Sequence, residues 1–80
     1  MLVPLYGFLR GDTVGLLVLV HDHQRVAEIA EVLQEAASVR VAPVRKAAVW
    51  FAGRRLDPEQ AISAAGLGPL DRVDVVPESE

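Results

Sequence analysis

No cysteine occurs among the 80 residues, so neither a disulfide framework nor a thiolate nucleophile or metal ligand is available. Histidine is almost as scarce. His21 and His23 flank Asp22 and give only a fragment of a metal-ligand set, with no further histidine or cysteine to complete it. Serine is limited to Ser38, Ser63 and Ser79, none of them in a strand-turn-helix nucleophile setting. A phosphate-binding glycine loop is missing too: Gly66-Leu67-Gly68 runs into Pro69, with no lysine and no long helix after it. Asp71 and Asp74 flank a strand start rather than a cleft, so general acid-base work is not expected of them. The apolar runs are strand-sized and fall far short of the roughly 18 to 20 residues that span a bilayer. The beginning, MLVPLYGF, lacks the basic region and small-residue site of a secretory signal, so cytoplasmic residence is the expectation. Positive charge is in the minority, at 8 Lys and Arg against 11 Asp and Glu, which argues against general affinity for nucleic acid.

What is abundant is apolar surface, with 51% hydrophobic residues and a mean hydropathy of +0.28. A chain of this length buries only about 60% of its unfolded surface, so such a composition suggests a partner that covers more. Charge is also unevenly placed. Glu28, Glu31 and Glu35 fall in the first half, whereas Arg40, Arg45, Lys46, Arg54, Arg55 and Arg72 fall in the second. A basic patch on an acidic protein fits an acidic protein partner better than a phosphate backbone.

Leu2 to Leu9 and Thr13 to Val20 are β-compatible runs around Arg10-Gly11-Asp12, a hairpin tip. The same three residues spell an integrin-binding tripeptide, but nothing here suggests secretion. Neither run alternates apolar with polar as a half-exposed hairpin should. Val14, Leu16, Val18 and Val20 make one face of the second run, and Gly15, Leu17, Leu19 and His21 the other; in the first, Val3, Leu5 and Leu9 oppose Leu2, Tyr6 and Phe8. One helix covers one face of a small sheet, so the second is a candidate protein interface, unless loops or a second copy cover it. Pro4 is expected where the ladder needs no donor.

The spacing predicts a helix from about His23 to Ala37, capped by Asp22, with Val26, Ile29, Ala30, Leu33 and Ala37 on one apolar stripe. Arg25, Glu28, Glu31 and Glu35 lie away from it as a solvated face or a surface for a basic partner, and Val32 points off the stripe toward solvent. Val39-Arg40-Val41-Ala42-Pro43 is an extended connector. A third strand covers Ala47 to Phe51, with Trp50 either a core filler, buried or packed at an edge, or an exposed anchor. After a Gly53 turn come Leu56, the Asp57-Pro58 breaker, one helical turn over Ala61 to Ala65 stopped by Gly66, and Leu67 and Leu70 as plugs for the core. Arg72 to Val76 is the last strand. Residues 1–76 are read as one domain and 77–80 as an acidic tail.

This order of hairpin, long helix, strand, turn, short helix and strand resembles ubiquitin-like β-grasp domains, most closely along FAGRRLDPEQAISAAGLGPLDRVDVV. The resemblance implies an α+β fold with a mixed four- to five-stranded sheet and one long helix packed on one face. A Gly-Gly ending is not found, so a modifier or sulfur-carrier role is not expected. Nearly the whole chain also resembles the toluene monooxygenase system protein B family, the small gamma subunit of bacterial multicomponent diiron monooxygenase hydroxylases, itself ubiquitin-like. That likeness is carried by the Arg10-Gly11-Asp12 turn, the apolar second strand, the Val39 to Pro43 connector, Ala65-Gly66-Leu67-Gly68-Pro69 and Asp74-Val75-Val76. It implies a non-catalytic accessory subunit without a cofactor of its own, bound to a large alpha subunit in a hetero-oligomer of alpha and beta subunits. In such systems the large subunit holds the diiron centre and oxidises an aromatic or alkene substrate with dioxygen and electrons from NADH. A free-standing ubiquitin-like adaptor of another complex is the alternative. Candidate interface residues are Tyr6, Phe8, Leu17, Leu19, Arg40, Val41, Trp50, Arg54 and Arg55.

Overall fold

Helix α1, Val26–Ala36, carries its apolar stripe as the spacing requires: Val26, Ile29, Ala30, Leu33 and, just past its end, Ala37 are all buried. A computed structural model describes residues 1–78, and among them this is the one α-helix. It packs across a five-stranded sheet made of β1 (Leu2–Leu9), β2 (Gly15–His21), β3 (Ala47–Phe51), β4 (Arg54–Arg55) and β5 (Arg72–Pro77). The spatial order is β2-β1-β5-β3-β4. β1 pairs antiparallel with β2 and parallel with β5, and β3 pairs antiparallel with both β5 and β4, so the sheet is mixed.

Alternation along the strands sends Val3, Leu5 and Leu9 of β1, Val18 and Val20 of β2, Val49 of β3, and Val73 and Val75 of β5 against the helix. Leu56, Ile62, Ala65 and Leu67 close the core from the segment between β4 and β5. Gly7 lets helix and sheet approach. A Cβ there would stand 2.8 Å from Leu33 Cδ1, a side chain that is itself fully buried.

The helix start differs from the expectation of an Asp22 cap. Arg25 is the N-cap, and its own side chain makes no capping hydrogen bond. Its first amide donors go instead to main-chain carbonyls of the later loop, Val26 N–H to Gln60 at 2.9 Å and Ala27 N–H to Pro58 at 3.0 Å, while Glu28 N–H reaches back to Arg25. Glu28 Oε2 accepts the Arg25 N–H at 2.9 Å. Asp22 stands outside the helix with its carboxylate 3.0 Å from the Met1 nitrogen. The same loop donates Ile62 N–H to the Gln24 carbonyl and Ser63 N–H to that of Asp22. Because residues 22–25 are committed to this stitching, α1 begins at Val26 rather than His23.

Other expectations shift with packing. Val32 is half-buried and packs against the core instead of facing solvent. Val14 precedes β2 and is exposed, while Leu16 is half-buried. The helical turn is a 3-10 turn, Ser63–Ala65, ending at a left-handed Gly66. Leu67 plugs the core as read, but Leu70 does not: it is 61% exposed, with φ of 64°. β5 runs through Pro77, and Glu78 N–H bonds the Lys46 carbonyl, so the tail does not start at residue 77; Ser79 and Glu80 of that tail lie outside the described residues.

Pro4 sits where its missing N–H is harmless. Tyr6 N–H donates to Asp71 and the Pro4 carbonyl accepts from Leu70 N–H, so even-numbered residues of β1 address β5, which has not yet begun opposite the Pro4 nitrogen. The β3–β4 turn, Ala52-Gly53, has positive φ at both positions, the two-residue geometry that suits the strand twist.

Two stability outcomes follow. Gly7→Ala should lose about 1–2 kcal/mol in denaturant unfolding, because overpacking against the locked Leu33 outweighs the entropy an alanine saves. Ala52→Asn should gain about 0.5–1 kcal/mol in the same measurement, since Asn tolerates the left-handed region better than Ala; an unchanged midpoint would show that the turn is not strained.

Candidate protein interface

The side of the sheet away from α1 carries the features that the fold leaves unexplained. Cross-strand pairing sets Leu19 beside Pro4, Leu17 beside Tyr6 and Arg72, and Gly15 beside Phe8, Asp74, Trp50 and Arg55. These rows make one continuous outer face. Leu17 and Leu19 are each 59% exposed, Leu2 is 52%, Tyr6 46% and Trp50 38%. A core position for Trp50 is therefore overturned: Val49 points inward and Trp50 outward, between Asp74 and Arg55.

The face is ordered from within. Tyr6 and Phe8 stack with ring centroids 6.0 Å apart and planes 17° from parallel. The Arg72 guanidinium lies 4.0 Å over the Phe8 ring and bonds Asp74 Oδ1 at 3.1 Å. Phe8 also covers Gly15, where any Cβ would meet the ring at 2.6 Å. Arg55 pairs with Glu78.

Six of the nine candidate residues, Tyr6, Phe8, Leu17, Leu19, Trp50 and Arg55, meet on this face. The other three lie elsewhere. Arg54 pairs with Phe51, whose side chain packs toward the core, so Arg54 projects on the helix side of the β3–β4 hairpin. Arg40 and Val41 follow the helix, Val41 packing against the core. Arg40 is engaged by Asp12: its Nε and Nη2 donate to the Asp12 carboxylate at 2.9 to 3.2 Å, clamping the hairpin tip to the connector. The Arg40 hydrogen bonds hold the Asp12 carboxyl below its ordinary range despite the near enclosure of that side chain, helped by the Thr13 and Val14 main chain. Sequence reasoning placed Leu2 on this face but left it out of the interface, and it missed Arg72 over Phe8; the Tyr6–Arg72 register that reveals the latter is a tertiary fact.

Among the described residues no charged or polar residue lies in the buried core, and no three His, Cys, Asp or Glu side chains gather as metal ligands. His21 and His23 lie with ring centroids 5.3 Å apart, and no third ligand joins them among the described residues, so this pair does not fit a diiron centre. A cleft between α1 and the β3–β4 side, lined by Glu31, Gln34, Arg45, Lys46 and Glu59, is open and of mixed charge. No helix among the described residues is long and apolar enough to cross a membrane.

A mixed five-stranded sheet grasping one helix, with a 3-10 turn before the last strand, defines a ubiquitin-like α+β protein. Known structures agree: a de novo design based on ubiquitin superposes with a TM-score of 0.81 at 19% identity, covering 99% of this chain and 92% of the design. The ubiquitin-like domain of Plasmodium falciparum Dsk2 gives 0.77 at 16% identity, covering 95% and 97%. A chain of a toluene 4-monooxygenase HD complex with the inhibitor 4-bromobenzoate gives 0.90 at 24% identity, over 98% of this chain and 100% of that one. The family model of toluene-4-monooxygenase system protein B (TmoB) matches residues 2–76, and the chain belongs to that family. Comparison with curated protein sequences gives no match.

The clamp makes a pH prediction. Because the folded-state value of Asp12 is depressed, the stability it contributes is fully present above the unfolded value of about 3.9 and is lost as pH falls through the folded value. Carboxyl NMR titration should place Asp12 below that ordinary value, and Arg40→Ala should bring it back up; an Asp12 that titrates alike in both proteins would show that the clamp does not form in solution.

Proposed function

We propose that this chain is a non-catalytic accessory subunit of a multicomponent diiron monooxygenase hydroxylase, acting as one docking domain over residues 1–76 on the large subunit. Family membership supports the monooxygenase system, and the exposed apolar face of the sheet is the observation that carries the docking. Side chains such as Leu17, Leu19 and Trp50 gain nothing from water, and a face this apolar on a chain this small is what a permanent partner would cover. The diiron centre, the oxidation and the substrate pocket belong to the partner in this reading. The chain supplies a shaped surface and contributes no redox group.

The outer face rather than the basic second half as a whole makes the contact. Tyr6, Trp50 and Arg72 are of the types that dominate interface energetics, and stacking and cation–π contacts preorganise two of them. Arg40 is already spent on Asp12.

Co-expression with the large hydroxylase subunit should yield a stable complex that survives gel filtration. Within it, Tyr6→Ala or Trp50→Ala should weaken binding by about tenfold or more, the range of interface anchors, whereas Arg54→Ala, on the other side of the sheet, should leave it within about twofold. A monomer that is stable alone and forms no such complex would sink this reading in favour of a ubiquitin-like adaptor for another assembly.

A further inference from the structure

The two edges of the sheet are built in opposite ways. β4 is two residues long and both are arginines, a short charged edge of the kind that resists pairing with another chain. β2 is seven residues long, and from Gly15 to Val20 it has no Lys, Arg, Asp, Glu or Pro. Its hydrogen-bonding parity follows from its neighbour. Even residues of β1 address β5, and Asp22 N–H donates to the Met1 carbonyl, so odd residues of β1 bond even residues of β2. The N–H and C=O groups of Gly15, Leu17, Leu19 and His21 therefore point away from the sheet. At His21 they are satisfied within the chain, its N–H by Gln24 Oε1 at 2.7 Å and its carbonyl by Gln24 N–H at 3.0 Å. No protein group takes those of Leu17 and Leu19 among the described residues.

Resting on the docking reading above, we infer that the free edge of β2 takes an added strand, an extended and uncharged apolar segment of the large hydroxylase subunit, paired through the main chain of Gly15, Leu17 and Leu19. The chemistry selects the occupant. A strand laid there sets its side chains beside Leu17 and Leu19 on the outer side and beside half-buried Leu16 on the inner, where a charge would be desolvated without a partner. A second copy is the poorer fit. Edge-to-edge pairing of two β2 strands prolongs the sheet but sets the two outer faces side by side, leaving Tyr6, Trp50 and most of each leucine wet, and one strand pair buries far less than the roughly 1,200–2,000 Å² of a stable interface. Since Leu17 and Leu19 belong both to the edge and to the outer face, a larger partner that adds a strand covers both at once.

Amide hydrogen exchange on the complex with the large subunit tests this, alongside binding of Leu17→Pro and Leu17→Ala. Proline at 17 removes an outward-pointing N–H that the fold itself does not use. The expected result is that the Leu17 and Leu19 amides exchange quickly in the free chain and slow by about a hundredfold in the complex, while the Val18 amide, bonded to β1, is protected in both. Leu17→Pro should fold and bind about tenfold more weakly than Leu17→Ala. A complex that forms with Leu17 and Leu19 still exchanging freely would overturn the added strand while leaving the docking reading intact. Absence of any complex would remove both. Protection that arises in the free chain with dimerisation would assign the edge to a second copy and overturn the proposal. Should Leu17→Pro not fold, exchange in the unaltered complex decides alone.

Discussion

The structure depends on a main-chain splice between two distant segments. Helix α1 starts with no hydrogen bond from its N-cap side chain, and its leading amides are answered by the carbonyls of Pro58 and Gln60, while Ile62 and Ser63 donate in return to Gln24 and Asp22. Unanswered donors at a helix end packed against protein would each cost about 1–3 kcal/mol, so the splice is what permits the helix to begin there. It also sets the direction of the helix over the sheet. From that placement come Leu33 against Gly7, the burial of Ile62 and Leu67, and the route by which the chain reaches β5 at the centre of the sheet.

One helix so placed covers one side only. The other side is left to whatever the strands present, and here they present leucine, tyrosine, phenylalanine and tryptophan instead of the polar residues that alternation on a solvated sheet would supply. These residues lie outside the buried cluster, which sits on the helix side. Their internal order also costs conformational freedom that a purely solvent-facing surface has no reason to give up: Arg72 is held over Phe8, Phe8 over Gly15, and Tyr6 against Phe8. Preordered apolar surface is the property that reduces the entropy lost on association.

How much of this was legible in the sequence follows the range of each interaction. The helical stripe from Val26 to Ala37, the limits of β1 and β3, and the two-faced hairpin were readable because period and local turn chemistry set them. Asp22 misled because a good capping residue before an apolar stripe is a local signal, and the capping groups came from thirty-odd residues away. Leu70 misled because a leucine next to Leu67 reads as core, whereas its left-handed backbone and its N–H bond to Pro4 turn the side chain outward. Among the interface candidates, alternation assigned the strand residues to faces, six to the outer one and Arg54 to the helix side, while Arg40 and Val41 fell away because a connector has no period and its partner, Asp12, lies across the molecule.

The asymmetry of the edges links local chemistry to assembly. A sheet of a free protein is protected at both ends by the same devices, and the Arg54-Arg55 edge has two of them, shortness and charge. At β2 neither is present, although Gln24 closes off the His21 end with the side-chain and main-chain bonds such an edge can accept. Protection that stops where Leu19 begins leaves an unpaired stretch bounded by the hairpin tip, which the Asp12–Arg40 clamp ties to the connector. An edge left open for that length, contiguous with an ordered apolar face, is stable in isolation only at the risk of self-association, and that combination is the observation on which the proposed docking to a larger subunit rests.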